Sequence, residues 1–137
     1  MTAPVHDWVF RARPVDVLDG DTLTLELDLG LNVRRVETVR LLDAAAPELR
    51  GASRPRGLLA RAWLAEWLEH AAEDAASAWP LVLRSHQPPR PGDPNPREKY
   101  GRLLAEIWRT VDGEHLNAAI VAAGHARPWD GRGAQPA

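Results

Sequence analysis

The sequence predicts an α+β fold with a mainly β core, in which two or three helices pack on a small closed barrel of five strands. Three observations predict it. Leu23, Leu25, Leu27 and Leu29 alternate with Thr22, Thr24, Glu26 and Asp28, the period of a half-buried strand. Turn signals flank that segment, Asp19-Gly20-Asp21 before it and Gly30 with Asn32 after it, and β-forming residues lie beyond both. Two later segments, after Leu58 and after Leu116, carry apolar residues at helical spacing instead.

Taken in order, Val9 to Val17 mixes β-formers with Arg11 and Arg13 and reads as the first strand. The leucine segment is the second, with all four leucines on the buried face. Val33 to Leu42 is the third, and the short connections make an antiparallel meander. Ser53 to Arg56 looks like a helix start, with Ser53 as the cap and Pro55 tolerated in the first turn. From Leu58 to about Ala76 the sequence is helical. Ala60, Leu64, Trp67, Leu68, Ala71 and Ala75 share one stripe, and Glu66, Glu69 and Glu73 lie mostly off it. Trp63 and Trp67, one turn apart, read as core packing.

Trp79 to Leu83 is the fourth strand and Leu103 to Val111 the fifth, closed by Asp112-Gly113. Between them, His86 to Arg97 contains Pro88, Pro89, Pro91, Pro94 and Pro96, which excludes a helix interior or a central strand. Residues 86–98 are expected to form a mobile Pro-rich loop, and such loops beside clefts carry function. Leu116, Ala119, Ile120 and Ala123 mark a second helix, stopped by Gly124. From Arg127 the chain reads as irregular, with 132–137 a tail. Five strands with an inserted helix suit a barrel of the oligonucleotide-binding type, an OB-fold. The expectation is one domain over 1–137, with its core over 8–131.

Bulk properties agree with this. A chain of 137 residues suits a single domain with a real hydrophobic core. The absence of Cys excludes a disulfide framework and a thiolate zinc site. Met1 to Asp7 lacks the apolar stretch of a secretory signal, and no transmembrane-length apolar run follows, so a cytoplasmic monomer without membrane contact is expected. The net charge of −2 lacks the basic excess of a general nucleic-acid binder. Distribution matters more than the sum. Arg50, Arg54, Arg56 and Arg61 form one basic run, and Arg90, Arg97, Lys99 and Arg102 another. Either is a solvated face or a phosphate-binding one.

Three separated segments concentrate residues able to do chemistry. Asp19-Gly20-Asp21-Thr22 is, alone, a common hairpin device. Val39-Arg40-Leu41-Leu42, followed by Ala46-Pro47-Glu48, places a guanidinium in a strand and a carboxylate just past its end. Lys99-Tyr100-Gly101-Arg102-Leu103-Leu104-Ala105 puts two cations and an aromatic at a loop-to-strand junction. Taken singly, Arg40 reads as one half of a strand-face ion pair, for instance with Glu37. Glu48 then reads as a helix-entry carboxylate and Arg102 as a surface charge.

Together, in this order and spacing, the segments resemble the staphylococcal nuclease (thermonuclease) family, in a bacterial or phage-like branch. The resemblance runs from about Trp8 to Gly131. It includes Asp112-Gly113, Leu116-Asn117, Gly124-His125-Ala126 and Trp129-Asp130-Gly131. It implies an endonuclease that hydrolyses DNA or RNA phosphodiester bonds, usually with calcium. Glu48 matches the general base that activates a water. Arg40 and Arg102 match the two arginines whose planar forks bind phosphate oxygens and offset charge in the transition state. Lys99 and Tyr100 match residues that contact phosphate and nucleotide, and Asp21 matches one metal-binding carboxylate.

The chain departs from the pattern at Ala45, three positions before Glu48, where the family carries its second metal-binding carboxylate. Calcium takes six to eight oxygens, and anionic ligands set its affinity. The backbone carbonyl of Ala46 remains available in principle, and Asp19 or Asp43 are possible supports. Asp43 lies two residues from position 45 on what would be the same strand face, about 6–7 Å away. Two functions therefore compete: a divalent-cation-dependent nuclease acting on single-stranded DNA or RNA, and a catalytically inactive module of the same fold that binds nucleic acid or a protein. A hydrolase of small nucleotides is a third. Trp129 reads either as a stacking surface near the cleft or as tail packing. The five histidines show no ligand spacing.

Overall fold

The computed structural model describes residues 2–4, 7–73, 76–86 and 101–129. Five strands close into a barrel: β1 (Val9–Asp19), β2 (Thr22–Gly30), β3 (Val33–Leu41), β5 (Leu81–Ser85) and β6 (Leu103–Arg109). Their order around the barrel is β1-β2-β3-β6-β5, with β5 returning to β1. The pairs are antiparallel except β3 with β6, which run parallel. Two helices pack on it, α1 (Arg54–Glu73) and α2 (Leu116–Ala122). The expected α+β barrel of the OB type is the architecture found.

The period-two pattern builds the interior. Ala12, Leu23, Leu25, Leu27, Val39, Leu41, Leu81, Leu83, Leu103, Ala105 and Ile107 all point inward and are buried. α1 closes one side with Ala60, Leu64, Trp67, Leu68 and Ala71, and α2 adds Leu116 and Ile120. Trp67 is core, as its spacing predicts, and its indole N–H donates to the Glu114 carboxylate at 2.9 Å. That bond satisfies the one polar atom of a buried ring.

Several expectations need correction. Leu29 is 37% exposed and does not continue the buried leucine face. β1 pairs with β2 only as far as Arg11 with Asp28, whereas β2 pairs with β3 out to Gly30 with Val33. The hairpin outruns the barrel, so its tip has no interior to face. Ser53 does not act as a capping acceptor. It sits in a short 3-10 turn, Gly51–Ser53, and its hydroxyl donates to the carbonyls of Glu48 and Arg50. The last barrel strand ends at Arg109 rather than Val111, because the Arg109 guanidinium and the Asp112 carboxylate fold the chain into a turn.

The segment from Arg127 is not wholly irregular. A short strand β4 (Ala44–Ala45) pairs antiparallel with β7 (Arg127–Pro128). Ala75, Lys99, Tyr100, the prolines from Pro88 to Pro96 and the tail 132–137 fall outside the described residues. No helix among the described residues is long and apolar enough to cross a membrane.

Candidate functional site

The β1–β2 turn is pressed against α1. A Cβ added at Gly20 would stand 2.6 Å from the Ala60 Cβ and 2.7 Å from that of Ala46. Only glycine allows this approach, and it carries the next residue, Asp21, into the interior. Asp21 is 5% exposed. One carboxylate oxygen accepts the Ala46 N–H at 2.8 Å, and the other accepts the Thr22 hydroxyl at 2.9 Å. The Asp21 carbonyl accepts the Leu41 N–H at 2.9 Å, fixing the turn to the end of β3.

β3 delivers Arg40 opposite Thr22. Arg40 is also 5% exposed, and its Nη2 lies 3.5 Å from the Asp21 carboxylate. Its Nη1 donates to the carbonyl of Leu41 at 2.8 Å and to that of Ala44. The Trp129 ring covers it, with the centroid 5.4 Å from the guanidinium carbon. Trp129 is held there because its backbone N–H donates to the Asp43 carbonyl, continuing the β4–β7 pairing.

Arg102 enters from the start of β6, since the parallel pairing sets Arg40 against Leu104. Its Nη1 lies 3.4 Å from the Thr22 hydroxyl oxygen, and the residue is half-buried. The structure thus joins Asp21, Thr22, Arg40, Arg102 and the Ala46 backbone into one contact set. Glu48 lies two residues beyond Ala46, a reach of about 7 Å at most along the chain. It is exposed, and its carboxylate accepts Arg50 Nε at 2.9 Å. The nearby carboxylate also holds the Arg50 guanidinium more firmly in its charged form. α1 supports this segment from behind, since a Cβ at Gly57 would stand 2.5 Å from the Glu48 carbonyl oxygen.

Asp19 adjoins the set, accepting the Asp21 N–H at 3.0 Å. Burial, then hydrogen bonding and charge repulsion from Asp21, push its carboxyl up to about 7. Asp43 stands apart. It adopts a left-handed turn conformation, with φ of 61°, and is exposed, whereas Ala45 is 2% exposed. The turn breaks the strand alternation, so positions 43 and 45 do not share a face.

Sequence reasoning missed Asn117. Its buried amide donates to the carbonyls of Leu42 and Ala105 and accepts the Ile107 N–H. It thereby ties α2 and β6 to the end of β3 beside Arg40. Its available signal was an amide among apolar residues on a helix, which demands buried partners. Three other polar side chains, His86, Glu106 and His115, pair with one another or with the backbone. His115 caps α2 by accepting the Ala118 N–H, and the carboxylate oxygens of Glu106 lie 2.7 Å from His86 Nε2 and 3.0 Å from His115 Nε2. An open groove of about 810 Å³ between β1 and α1, lined by Val15, Val17, Leu58, Arg61, Leu68 and Glu69 among others, shares no residue with the Asp21 set.

No protein-family model and no curated protein matches the chain.

The calcium that the family resemblance implies can be tested against these donors. Among the described residues, no group of three or more His, Asp or Glu side chains is arranged to hold a metal ion. Both Asp21 oxygens already accept hydrogen bonds, a guanidinium stands beside them, and position 45 offers a methyl group. A hard cation that wants six to eight oxygens does not fit this set.

Proposed function

We propose that the chain is a thermonuclease-like domain that takes single-stranded DNA or RNA by its phosphodiester backbone and hydrolyses it as a monomer. The observation that carries this reading is the convergence of Arg102, Thr22, Asp21 and Arg40 at the end of the barrel where Ala46 leads to Glu48. Arg102 presents a planar fork of donors to a non-bridging phosphate oxygen. Arg50, Arg54 and Arg56 are exposed around Glu48 and extend the cationic track along the backbone of the ligand. By the family resemblance, Lys99 and Tyr100 match residues that contact phosphate and nucleotide.

In the chemical step, a water oxygen bonds to phosphorus as Glu48 accepts the water's proton. The P–O bond to the leaving sugar oxygen breaks, and that oxygen takes a proton from solvent. Arg50 must release Glu48 first, and an arriving phosphate is a competing partner for its guanidinium. Arg102 offsets the charge that builds on the phosphoryl oxygens. Calcium is the cation the resemblance implies, but no step here runs through it, because the donors around Asp21 do not fit it.

A second reading is a module of the same fold that holds nucleic acid, or a protein, without cleaving. Ala45 and the Asp21–Arg40 pair favour it. Incubating labelled single-stranded DNA and RNA with the protein, in calcium and in EDTA, separates the two. Cleavage lost in Glu48→Gln supports hydrolysis. Binding without cleavage in either buffer supports the module. No binding even at low salt sinks both.

A further inference from the structure

We infer that the Asp21 pocket carries its own cation: the guanidinium of Arg40 occupies the electrostatic role of a divalent ion, and the domain binds no such ion there. A carboxylate buried to this degree must be compensated, because an unpaired charge in the interior is strongly destabilising. Asp21 and Arg40 are each 5% exposed, and they face each other at 3.5 Å.

The neighbouring oxygens point the same way. The carbonyls of Leu41 and Ala44 are the kind of backbone oxygens that could line a calcium site, and both accept from Arg40 Nη1. The carboxylate oxygens accept from Thr22 and from the Ala46 N–H. A dication entering here would have to displace donors from both Asp21 oxygens. It would also sit against a fixed positive charge, and position 45 supplies a buried methyl where a further carboxylate would be needed.

The pocket is also closed over the guanidinium. Ala45 is paired to Arg127, Trp129 is hydrogen-bonded to Asp43, and the Trp129 ring lies 5.4 Å from the Arg40 guanidinium carbon. An aromatic face over a desolvated guanidinium is attractive through the ring quadrupole. The β4–β7 pairing therefore acts as a cover for the Arg40–Asp21 pair. The inference does not rest on nucleic-acid binding, and its test needs no nucleic acid.

The test measures calcium binding to the full-length protein by titration calorimetry and its melting temperature in calcium and in EDTA, with Asp21→Asn alongside. The expected result is no saturable calcium binding that depends on Asp21 and the same melting temperature in both buffers. Saturable binding that Asp21→Asn abolishes, or a calcium-dependent rise in melting temperature lost in Asp21→Asn, overturns the inference. Arg40→Gln supplies a second arm. It is expected to lower the melting temperature, and Asp21→Asn in the same background to restore part of the loss. If Asp21→Asn deepens the loss instead, the two groups are not partners. Should Arg40→Gln fail to fold, the calcium measurements on the unmodified protein still decide.

Discussion

Asn117 holds the end of β3 in place through one buried amide, donating to the Leu42 carbonyl at 2.9 Å and the Ala105 carbonyl at 3.0 Å while accepting the Ile107 N–H at 3.1 Å. Removing it leaves the Ile107 N–H and the Leu42 carbonyl without this partner. At roughly 1–3 kcal/mol for each unsatisfied buried group, Asn117→Ala is expected to cost about 2–4 kcal/mol. Urea denaturation checks this as a fall in midpoint at unchanged slope. A loss below about 0.5 kcal/mol would contradict the assignment of this amide as a buried tie.

Gly57 allows α1 to touch the Pro47-Glu48 backbone. Its missing Cβ would lie 2.5 Å from a main-chain oxygen, which cannot rotate away. Gly57→Ala is expected to destabilise by about 1–3 kcal/mol, the cost of overpacking a tight contact. Thermal melting checks it, since helix propensity alone would make Gly57→Ala stabilising by about 1 kcal/mol. A rise in melting temperature on Gly57→Ala removes the argument.

Asp19 gives a pH dependence of definite sign. Its carboxyl is raised from 3.8 to about 7 by burial and by its contacts with Asp21. The fold therefore favours the protonated form. The associated stability is present in full below the unfolded value and is lost as pH rises from about 4 through about 7. Asp19→Asn, which stays neutral, is expected to be more stable relative to the parent at pH 8 than at pH 5. Melting curves across that range, in buffer without divalent cations, check it. An unchanged difference would mean Asp19 is ionised at both ends of the range.

Arg102 and Glu48 are expected to separate binding from turnover. On the proposed reading, Arg102→Ala removes a charge-assisted phosphate contact and is expected to weaken single-stranded oligonucleotide binding about tenfold, roughly 1.4 kcal/mol. Glu48→Gln is expected to keep that binding and abolish cleavage. Fluorescence anisotropy and a gel assay read the two. If Glu48→Gln cleaves at the parent rate, Glu48 is not the base.

Ala45→Asp restores the carboxylate that the family pattern carries. Buried beside an existing ion pair, it is expected to lower the melting temperature in EDTA and to regain it with calcium. Calcium-dependent cleavage should rise with it. A variant indifferent to calcium would mean that the Arg40 guanidinium excludes the ion even with a second carboxylate present.

The five barrel strands were legible because each carries an inward face at period two, and α1 because its apolar stripe recurs at helical spacing. The two-residue strands β4 and β7 were not, since two residues show no period. Arg40 was legible as a candidate site residue but not as a buried one. Its partner Asp21 and its cover Trp129 both lie far from it in sequence, and an arginine in a strand looks the same whichever way it points. Glu37, weighed as a partner for Arg40, pairs with Arg35, while Arg40 faces Asp21. Asn117 was visible only as part of a motif, because its three backbone partners belong to elements that the fold, not the chain order, brings together.

The parallel seam between β3 and β6 has a kinetic consequence. Val39 meets Leu103, and Arg40 meets Leu104, across a stretch of chain that includes α1, β5 and the proline-rich segment. Contacts so remote in sequence form only after a long loop has closed, which slows folding. The β1–β2–β3 meander can form early from local turns, but it then presents Arg40 without Arg102. On the proposed reading, oligonucleotide binding should therefore emerge in refolding only with the phase that zips this seam, later than most of the strand signal.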